Sequence, residues 1–208
     1  MVLQVLPCKE ADIHDFQRIQ VAAFSSGGMT TLLKPSPRPA DYAEKSVNKH
    51  LKSFREEQDV HYLKVIDTEL GGKMIAGAKW RINEKPRSEE QVRKTLPKPG
   101  KDEEERPAAQ DFIKYLARVR WEYMGVNPFY YPEHHRRGAG AMLIRWGTEK
   151  ADAAQLPTFL EATAVALPLY QKESFVVRHE EIFDLTKYGL QGTDTSTVMI
   201  REPILQAM

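Results

Sequence analysis

The chain has 208 residues, of which 41% are hydrophobic, so it is long enough to bury one core. Its 30 Lys and Arg residues nearly balance its 29 Asp and Glu residues, which argues against a nucleic-acid or anionic-membrane binder. The single cysteine, Cys8, excludes an intrachain disulfide, no Cys/His cluster has zinc spacing, and no stretch reaches the roughly 18 apolar residues of a membrane span. We therefore expect a soluble, cytoplasmic protein without a metal site.

The first part of the chain predicts a strand followed by a helix. Residues 2 to 8 alternate as a strand does, and residues 10 to 24 carry apolar side chains near helical spacing. Residues 25 to 40 are rich in Gly, Ser and Pro, which predicts a loop. We interpret this loop as a binding segment because it contains three apolar residues, Met29, Leu32 and Leu33.

A β-hairpin is predicted next. After a helix over about 40 to 55, strands 60 to 67 and 73 to 82 flank a Gly71-Gly72 turn. Residues 83 to 107 contain four prolines and clusters of both charges with few large apolar side chains. We predict that this insertion is an exposed loop, and a docking surface is the alternative.

The stretch ARVRWEYMGV, residues 117 to 126, predicts a strand after a short helix over 108 to 116. Pro128 ends this strand, because proline cannot donate to the ladder. A period of two puts one set of side chains on a common face: Arg120, Glu122, Met124 and Val126.

A helix with two glycines at its start follows in HHRRGAGAMLIRWGTEKAD, residues 134 to 152. Its small apolar face indicates close packing on a sheet, and this packing accounts for Gly147 in mid-helix. Gly138 and Gly140 lie at the helix start, where unpaired N–H groups and the helix dipole favour an anion. Strand, Gly-x-Gly, helix is therefore a phosphate-binding pattern, although a tight turn explains the glycines equally well.

The remaining elements complete an α/β order. Residues 156 to 163 predict a strand and 166 to 175 a short helix, and two further strands follow in FVVRHEEIFDL and STVMIRE. The segment VNPFYYPEHHRRGAGAMLIRWGTEKADAAQLPTFLEATAVALPLYQKESF resembles the acetyl-CoA-binding core of the GNAT N-acetyltransferases, particularly their fungal-type branch. The resemblance covers residues 117 to 176, with V-x-P, the Gly-rich loop, WG and AD in the helix, the LEA strand and LY-x-K.

This resemblance implies an α/β (α+β) fold. We expect the GNAT fold, a central mixed and mostly antiparallel twisted sheet of about six to seven strands, flanked by helices and splayed at an acetyl-CoA cleft. A single domain would span residues 1 to 208. Two positions depart from the pattern, His135 in place of Gln or Arg and Ser174 in place of Gly, and Phe129 and Tyr130 are extra residues before the loop.

The resemblance also implies a cofactor site for acetyl-CoA. Backbone N–H groups of residues 136 to 141 would hold the diphosphate, and main-chain groups of Met124 and Val126 would pair with the pantetheine arm. The implied cofactor-binding residues are Met124, Val126, Arg136, Arg137, Gly138, Ala139, Gly140 and Ala141.

Acetyl transfer to an amine requires two proton movements. Glu122, on the face predicted to look toward the cleft, is our candidate for the base, and an ion pair with Arg120 is its alternative role. Tyr170 stands at the tyrosine of LY-x-K, so the resemblance implies a general acid that hydrogen-bonds the departing thiolate. Its alternative role is that of a buried aromatic side chain.

The partners expected from this interpretation are acetyl-CoA and an amine. The apolar Met29, Leu32 and Leu33 favour a small or aromatic primary amine over a polybasic peptide, although these residues are equally suited to a core. The hypothesis is an acetyl-CoA-dependent N-acetyltransferase that works by direct attack in a ternary complex, as a monomer or homodimer. The alternatives are a catalytically silent acyl-CoA-binding module, transfer to a protein amine, and an interaction protein acting through residues 83 to 107.

Overall fold

The computed structural model describes residues 2 to 24, 28 to 34, 37, 39 to 100, 103, 105 to 132 and 139 to 205. The strands in these ranges are β1 (Leu3–Pro7), β2 (Val60–Asp67), β3 (Lys73–Asn83), β4 (Phe129–Pro132), β5 (Thr158–Thr163), β6 (Val176–Asp184) and β7 (Thr193–Arg201). The helices are α1 (Ile13–Ala23), α2 (Gly28–Leu32), α3 (Tyr42–Glu56), α4 (Glu89–Thr95), α5 (Pro107–Tyr123), α6 (Gly140–Ala154) and α7 (Leu167–Lys172).

The strands form one mixed sheet in the order β1-β2-β3-β4-β5-β7-β6. Neighbours are antiparallel except β4 and β5, which run parallel. The hairpin of β2 and β3 turns through Gly71 and Gly72, whose φ angles of 65° and 77° suit glycine. The predicted fold class, a mixed and mostly antiparallel sheet flanked by helices, is confirmed.

Helix α6 covers one face of this sheet. Its Leu143 and Ile144 are fully buried in a cluster that includes Trp80 of β3. A Cβ built on Gly147 would lie 2.2 Å from the Trp80 ring, so only glycine lets the helix approach this closely. The predicted packing role of Gly147 is confirmed.

The other face of the sheet carries α1, α2, α3 and α5. Phe16 of α1 lies against Gly77 of β3, where a Cβ would come within 2.7 Å of the Phe16 ring. Farther along, α5 packs through Tyr115 and Val119 in a cluster that includes Phe159 of β5. Alternate residues of β5 therefore face different helices, and this alternation decides which side chains reach each face.

The prediction of a strand over residues 117 to 126 is wrong, because these residues belong to α5 and the turn that follows it. Pro107 begins the helix at a position where its missing N–H costs nothing. The apolar residues continue at steps of three and four across the predicted boundary, at Phe112, Tyr115, Leu116, Val119 and Tyr123. The strand beside β3 is instead β4, which contains the Phe129 and Tyr130 that had been interpreted as extra residues.

The segment 83 to 107 contains a helix that the sequence analysis did not predict. Ser88 caps α4, with its Oγ accepting from the Gln91 N–H at 3.2 Å. Val92 is 1% exposed, and the Arg93 guanidinium lies 4.5 Å from the ring centroid of Trp121 on α5. This part of the insertion therefore packs on the domain, although most of its side chains are exposed.

Across the described residues, no helix combines the length and the apolar character needed to cross a membrane.

Candidate active site

The sheet opens between β4 and β5. These parallel strands share a single paired position in the described residues, Tyr130 with Thr158, and the Tyr130 N–H donates to the Pro157 carbonyl at 3.0 Å. From Thr158 onward β5 pairs with β7 along its whole length, whereas β4 pairs with β3. The two halves of the sheet therefore separate beyond Tyr130, and we call this opening the splay.

Helix α6 begins beside the splay. Ala139 is 2% exposed, and its carbonyl accepts from the Leu143 N–H at 3.2 Å to close the first helical turn. Gly140 is buried and Ala141 is half-buried. The other predicted phosphate-site residues, Arg136, Arg137 and Gly138, lie outside the described residues. A helix start with small residues at positions 139 to 141 fits an anionic group, because the N–H groups of the first turn have no partner within the helix and the helix dipole is positive there.

Tyr170 of α7 lies in the same buried cluster as Ala139 and Leu160. It is 1% exposed, and its ring makes an edge-to-face contact with Phe175 at 5.7 Å between centroids. The Phe175 N–H donates to the Tyr170 carbonyl at 3.0 Å, which closes the chain after α7. Ser174, the departure from glycine, takes the left-handed backbone (φ 67°) that glycine prefers.

A buried polar cluster lies at the splay on the face toward α5. Arg120 donates from Nε to Glu161 Oε1 at 2.8 Å and from Nη2 to the Tyr131 hydroxyl. The Tyr131 hydroxyl donates to Glu161 Oε2 at 2.6 Å, and the Glu161 side chain is 8% exposed. The cluster thus links α5, β4 and β5 at the point where the sheet separates.

No sequence pattern pointed to this cluster. Glu161 stands in the quoted LEA strand, next to Leu160 and Ala162, which face α6, so a period of two puts Glu161 on the opposite face. The carboxylate of Glu161 within a buried strand was the available signal for a buried polar cluster, because acidic side chains are seldom buried unless they are paired.

The structure does not bring Glu122 to the splay. Its side chain is 55% exposed on α5, and its Oε2 lies 4.0 Å from the Arg118 guanidinium. Arg120, the partner that the alternation suggested, pairs with Glu161. Because the segment is helical, the period of two that pointed Glu122 toward the cleft does not apply.

Met124 and Val126 also lie outside any strand. The Met124 N–H donates to the Arg120 carbonyl at 3.1 Å at the end of α5. The Val126 carbonyl accepts from the Arg87 N–H at 2.9 Å in the turn that follows. The strand position assigned to them by the sequence is occupied by β4.

The predicted acceptor residues belong to α2 and its end. Met29 is 2% exposed and packs with Leu32 in the cluster on the α5 face. The Met29 N–H donates to the Asp194 carboxylate of β7 at 2.8 Å, and the Leu33 carbonyl accepts from Arg106 Nη1 at 2.6 Å. Met29 is therefore part of the packed core on this face.

Among the described residues, no group of three His, Cys, Asp or Glu side chains is placed to hold a metal ion.

Comparison with known proteins shows the fold. No protein-family model and no curated protein sequence matches the chain. A histone acetyltransferase HPA2 and related acetyltransferase from Corynebacterium glutamicum is 19% identical over 100% of both chains, with a TM-score of 0.62. Arylalkylamine N-acetyltransferase 2 from Aedes aegypti is 13% identical over 97% of this chain and 99% of its own, with a TM-score of 0.63.

An acetyltransferase of the GNAT family from Streptococcus pneumoniae is 11% identical over 98% of this chain and 100% of its own, with a TM-score of 0.52. The chain therefore has the fold of the GNAT acetyltransferases.

Proposed function

We propose that the chain is an N-acetyltransferase that transfers the acetyl group of acetyl-CoA directly to a primary amine in a ternary complex. The observation that carries this proposal is the splay between β4 and β5 beside the buried start of α6. The GNAT fold supports it, because the similar structures from Corynebacterium glutamicum and Aedes aegypti are acetyltransferases. On the resemblance of residues 117 to 176, the proposal also places the chain in the fungal-type branch of these enzymes.

For acetyl-CoA, we propose the start of α6 as the diphosphate site. Residues 136 to 141 keep this role in the proposal, and the structure describes three of them, Ala139, Gly140 and Ala141. The strand that pairs with the pantetheine arm is β4 in our proposal, replacing Met124 and Val126. The support is that β4 is the strand that precedes α6 and that it leaves β5 after one paired position.

For the departing thiolate, we propose Tyr170 as the hydrogen-bond donor. A tyrosine pKa near 10 exceeds that of a thiol near 8.5 by about 1.5, so the hydroxyl stabilises the thiolate chiefly by hydrogen bonding. Its place in the same cluster as Ala139, at the start of α6, supports this role.

For the amine proton, we propose Glu161 in the role for which the sequence suggested Glu122. Glu161 is the buried carboxylate at the splay, and the Tyr131 hydroxyl contacts it at 2.6 Å. The amine proton would pass through the Tyr131 hydroxyl to the Glu161 carboxylate, which would become a neutral acid, and Arg120 would remain hydrogen-bonded to it.

For the acceptor, we propose a small aromatic or arylalkyl amine. The packed cluster on the α5 face beside the splay is aromatic and apolar, and it includes Phe159, Phe183 and Leu32. Two acidic groups near this cluster are already engaged, since the Asp194 carboxylate accepts from the Met29 N–H at 2.8 Å and Asp111 accepts from the Tyr188 hydroxyl at 2.8 Å. A polybasic peptide would instead require free carboxylates. The arylalkylamine acetyltransferase among the neighbours supports the same class.

A free-thiol release assay with acetyl-CoA over a panel of amines tests the activity and the acceptor class together. The panel should contain arylalkylamines, diamines and a lysine-containing peptide. We expect turnover with arylalkylamines. Acetyl-CoA binding without turnover of any amine would favour the catalytically silent module, and turnover of the peptide alone would contradict the acceptor class.

Tyr170→Phe tests the proposed acid. The substitution should lower kcat by about 10² to 10⁴-fold while the affinity for acetyl-CoA stays nearly unchanged, because the bond acts mainly in the transition state. Full activity in a folded Tyr170→Phe protein would contradict the role.

Glu161→Gln and Glu122→Gln form a matched pair of carboxylate substitutions. Glu161→Gln should lower kcat/KM for the amine by about 10²-fold or more and alter the acidic limb of its pH profile. Glu122→Gln should leave both unchanged, because its side chain is exposed. Because Glu161→Gln breaks a buried ion pair and can reduce stability, Tyr131→Phe is the second variant, which removes the proposed proton path and keeps the ion pair. Equal losses of activity from Glu122→Gln and Glu161→Gln would contradict the assignment of Glu161 as the base.

A further inference from the structure

A second cavity lies at the far end of α6 from the proposed diphosphate site. Its volume is about 1080 Å³, and it lies between the C-terminal half of α6, the end of β3 and helix α4. The residue of α6 that lines the cavity nearest the helix start is Trp146, which lies six residues and so about 9 Å along the helix from Gly140. The insertion after β3 forms one wall, through residues 83 to 87 and Gln91.

The floor of the cavity is aromatic. Tyr130 is 2% exposed, and half-buried Trp146 also lines the cavity. His61 lies beside Trp146, with 6.2 Å between ring centroids, and the Lys150 Nζ lies 4.9 Å from the Trp146 centroid. A flat ring therefore has the exposed part of Trp146 to pack against, and the Lys150 cation lies over the Trp146 ring.

The cavity wall carries more positive than negative charge. Lys85, Arg87 and Lys150 line it, and none of the three forms a salt bridge within the described part of the chain. On the neighbouring α4, by contrast, Lys94 pairs with Glu90 at 2.7 Å.

The Arg87 side chain is held in place by neutral groups. Its guanidinium donates to the Thr95 hydroxyl at 3.3 Å and to the Gly125 carbonyl at 3.1 Å, and it lies 4.9 Å from the Phe129 ring centroid. Burial lowers its pKa, because removal from water disfavours the charged form. Its charge is thus fixed at the wall without a carboxylate partner in the described residues.

The negative groups near the cavity are already engaged. Glu84 accepts a hydrogen bond from the Tyr130 hydroxyl at 2.6 Å, and Asp59 pairs with Arg81 at 2.7 Å. Burial, followed by the nearby Lys150, lowers the pKa of His61, so this imidazole is neutral at pH 7 and adds no charge. The lining keeps an excess of positive charge, with three cations against the carboxylate of Glu84.

We propose that this cavity binds a small aromatic anion of the aryl carboxylate class, with its ring beside Trp146 and its charge facing Lys85, Arg87 and Lys150. The lining combines aromatic and apolar residues with convergent charged groups, as small-molecule sites do, and the volume is ample for a ligand of one or two rings. The cavity lining includes none of residues 139 to 141, so we expect its ligand to bind without displacing acetyl-CoA, and Tyr130 is the residue that the cavity shares with the splay.

Ligand-observed NMR titration of the full chain with 1-naphthoate tests the proposal, with neutral 1-naphthamide as the matched probe. We expect 1-naphthoate to bind with a dissociation constant on the order of 1 mM or tighter. The double variant Lys85→Gln/Lys150→Gln should weaken binding about tenfold, because both charges face the anion. Lys52→Gln/Lys94→Gln is the control, since it changes the net charge equally at two lysines outside the cavity.

Three results would overturn the proposal. The absence of 1-naphthoate binding would remove the ligand class, and equal binding of 1-naphthamide would show that the anion is not recognised. Equal effects of the two double variants, or displacement of 1-naphthoate by CoA, would place the ligand elsewhere. Selective loss in Lys85→Gln/Lys150→Gln, with native far-UV circular dichroism in both variants, would support it.

Discussion

Replacing Gly147 by alanine should destabilise the protein, although alanine is the better helix former. A mid-helix glycine costs about 1 kcal/mol relative to alanine, so helix propensity alone favours the substitution. However, the added Cβ would lie 2.2 Å from the Cη2 and Cζ2 atoms of Trp80, whose side chain has 0% exposure. Trp80 is also held by its Nε1, which donates to the Leu143 carbonyl at 3.2 Å.

The expected magnitude follows from these contacts. Forcing extra atoms into a packed core costs about 1 to 3 kcal/mol, and losing the Trp80 hydrogen bond costs about 1 kcal/mol. After the gain of about 1 kcal/mol in helix propensity, the free energy of unfolding should fall by about 1 to 3 kcal/mol. Urea unfolding followed by far-UV circular dichroism measures this change. Glu149→Ala, on the exposed side of the same helix, is the control and should stay within about 0.5 kcal/mol.

A double-mutant cycle separates close packing from other effects. Trp80→Phe removes the ring atoms that the new Cβ meets, so Gly147→Ala should cost less in the Trp80→Phe background. The coupling free energy should be at least about 0.5 kcal/mol. An unchanged or increased stability in Gly147→Ala, or the absence of coupling, would refute the packing argument.

Three further substitutions test other local features. Ser174 is exposed and has a φ of 67° after α7. Ser174→Gly should therefore raise the free energy of unfolding by about 0.5 to 1 kcal/mol, as measured by urea unfolding. Gln155 has φ 54°, but its Nε2 donates to the carbonyls of Asp152 and Ile204 at 2.6 and 3.0 Å, so Gln155→Gly should show no such gain. Hydrogen bonds from Arg201 lower the pKa of Asp152 below its ordinary 3.8, so the stabilisation from this pair is complete above that value and is lost as the pH falls through the lowered pKa. Asp152→Asn should therefore lower the free energy of unfolding by about 3 kcal/mol at pH 7 and reduce the loss of stability at acidic pH. An unaltered loss of stability at acidic pH would contradict this role of the Asp152–Arg201 pair.

Several elements were predictable because their signals are local. Gly71 and Gly72 mark the hairpin, since positive φ angles are cheap only for glycine, and both occur there. The small apolar face of α6 indicated close packing on the sheet, and Gly147 lies against Trp80 as that face requires. The position of Tyr170 on a short helix after β5 also followed from the order of elements.

The partners of polar side chains were not predictable in this way. The sequence suggested that Arg120 pairs with Glu122, two residues away, but Arg120 contacts Glu161, which is 41 residues away. Such a contact depends on how α5 lies across the sheet. No pattern near either residue contains this information.

Residues 117 to 126 show most clearly what was left to the tertiary structure. Alternation in ARVRWEYMGV satisfies a period of two, while Tyr115, Val119 and Tyr123 satisfy a helical period in the same segment. The choice is made by burial, because the helix covers the aromatic face of β4 and β5. The short segment Phe129–Pro132 takes the place beside β3. The sequence by itself therefore determined the class of fold and the α6 packing face, and competition between segments for one place in the sheet decided which residues line the splay.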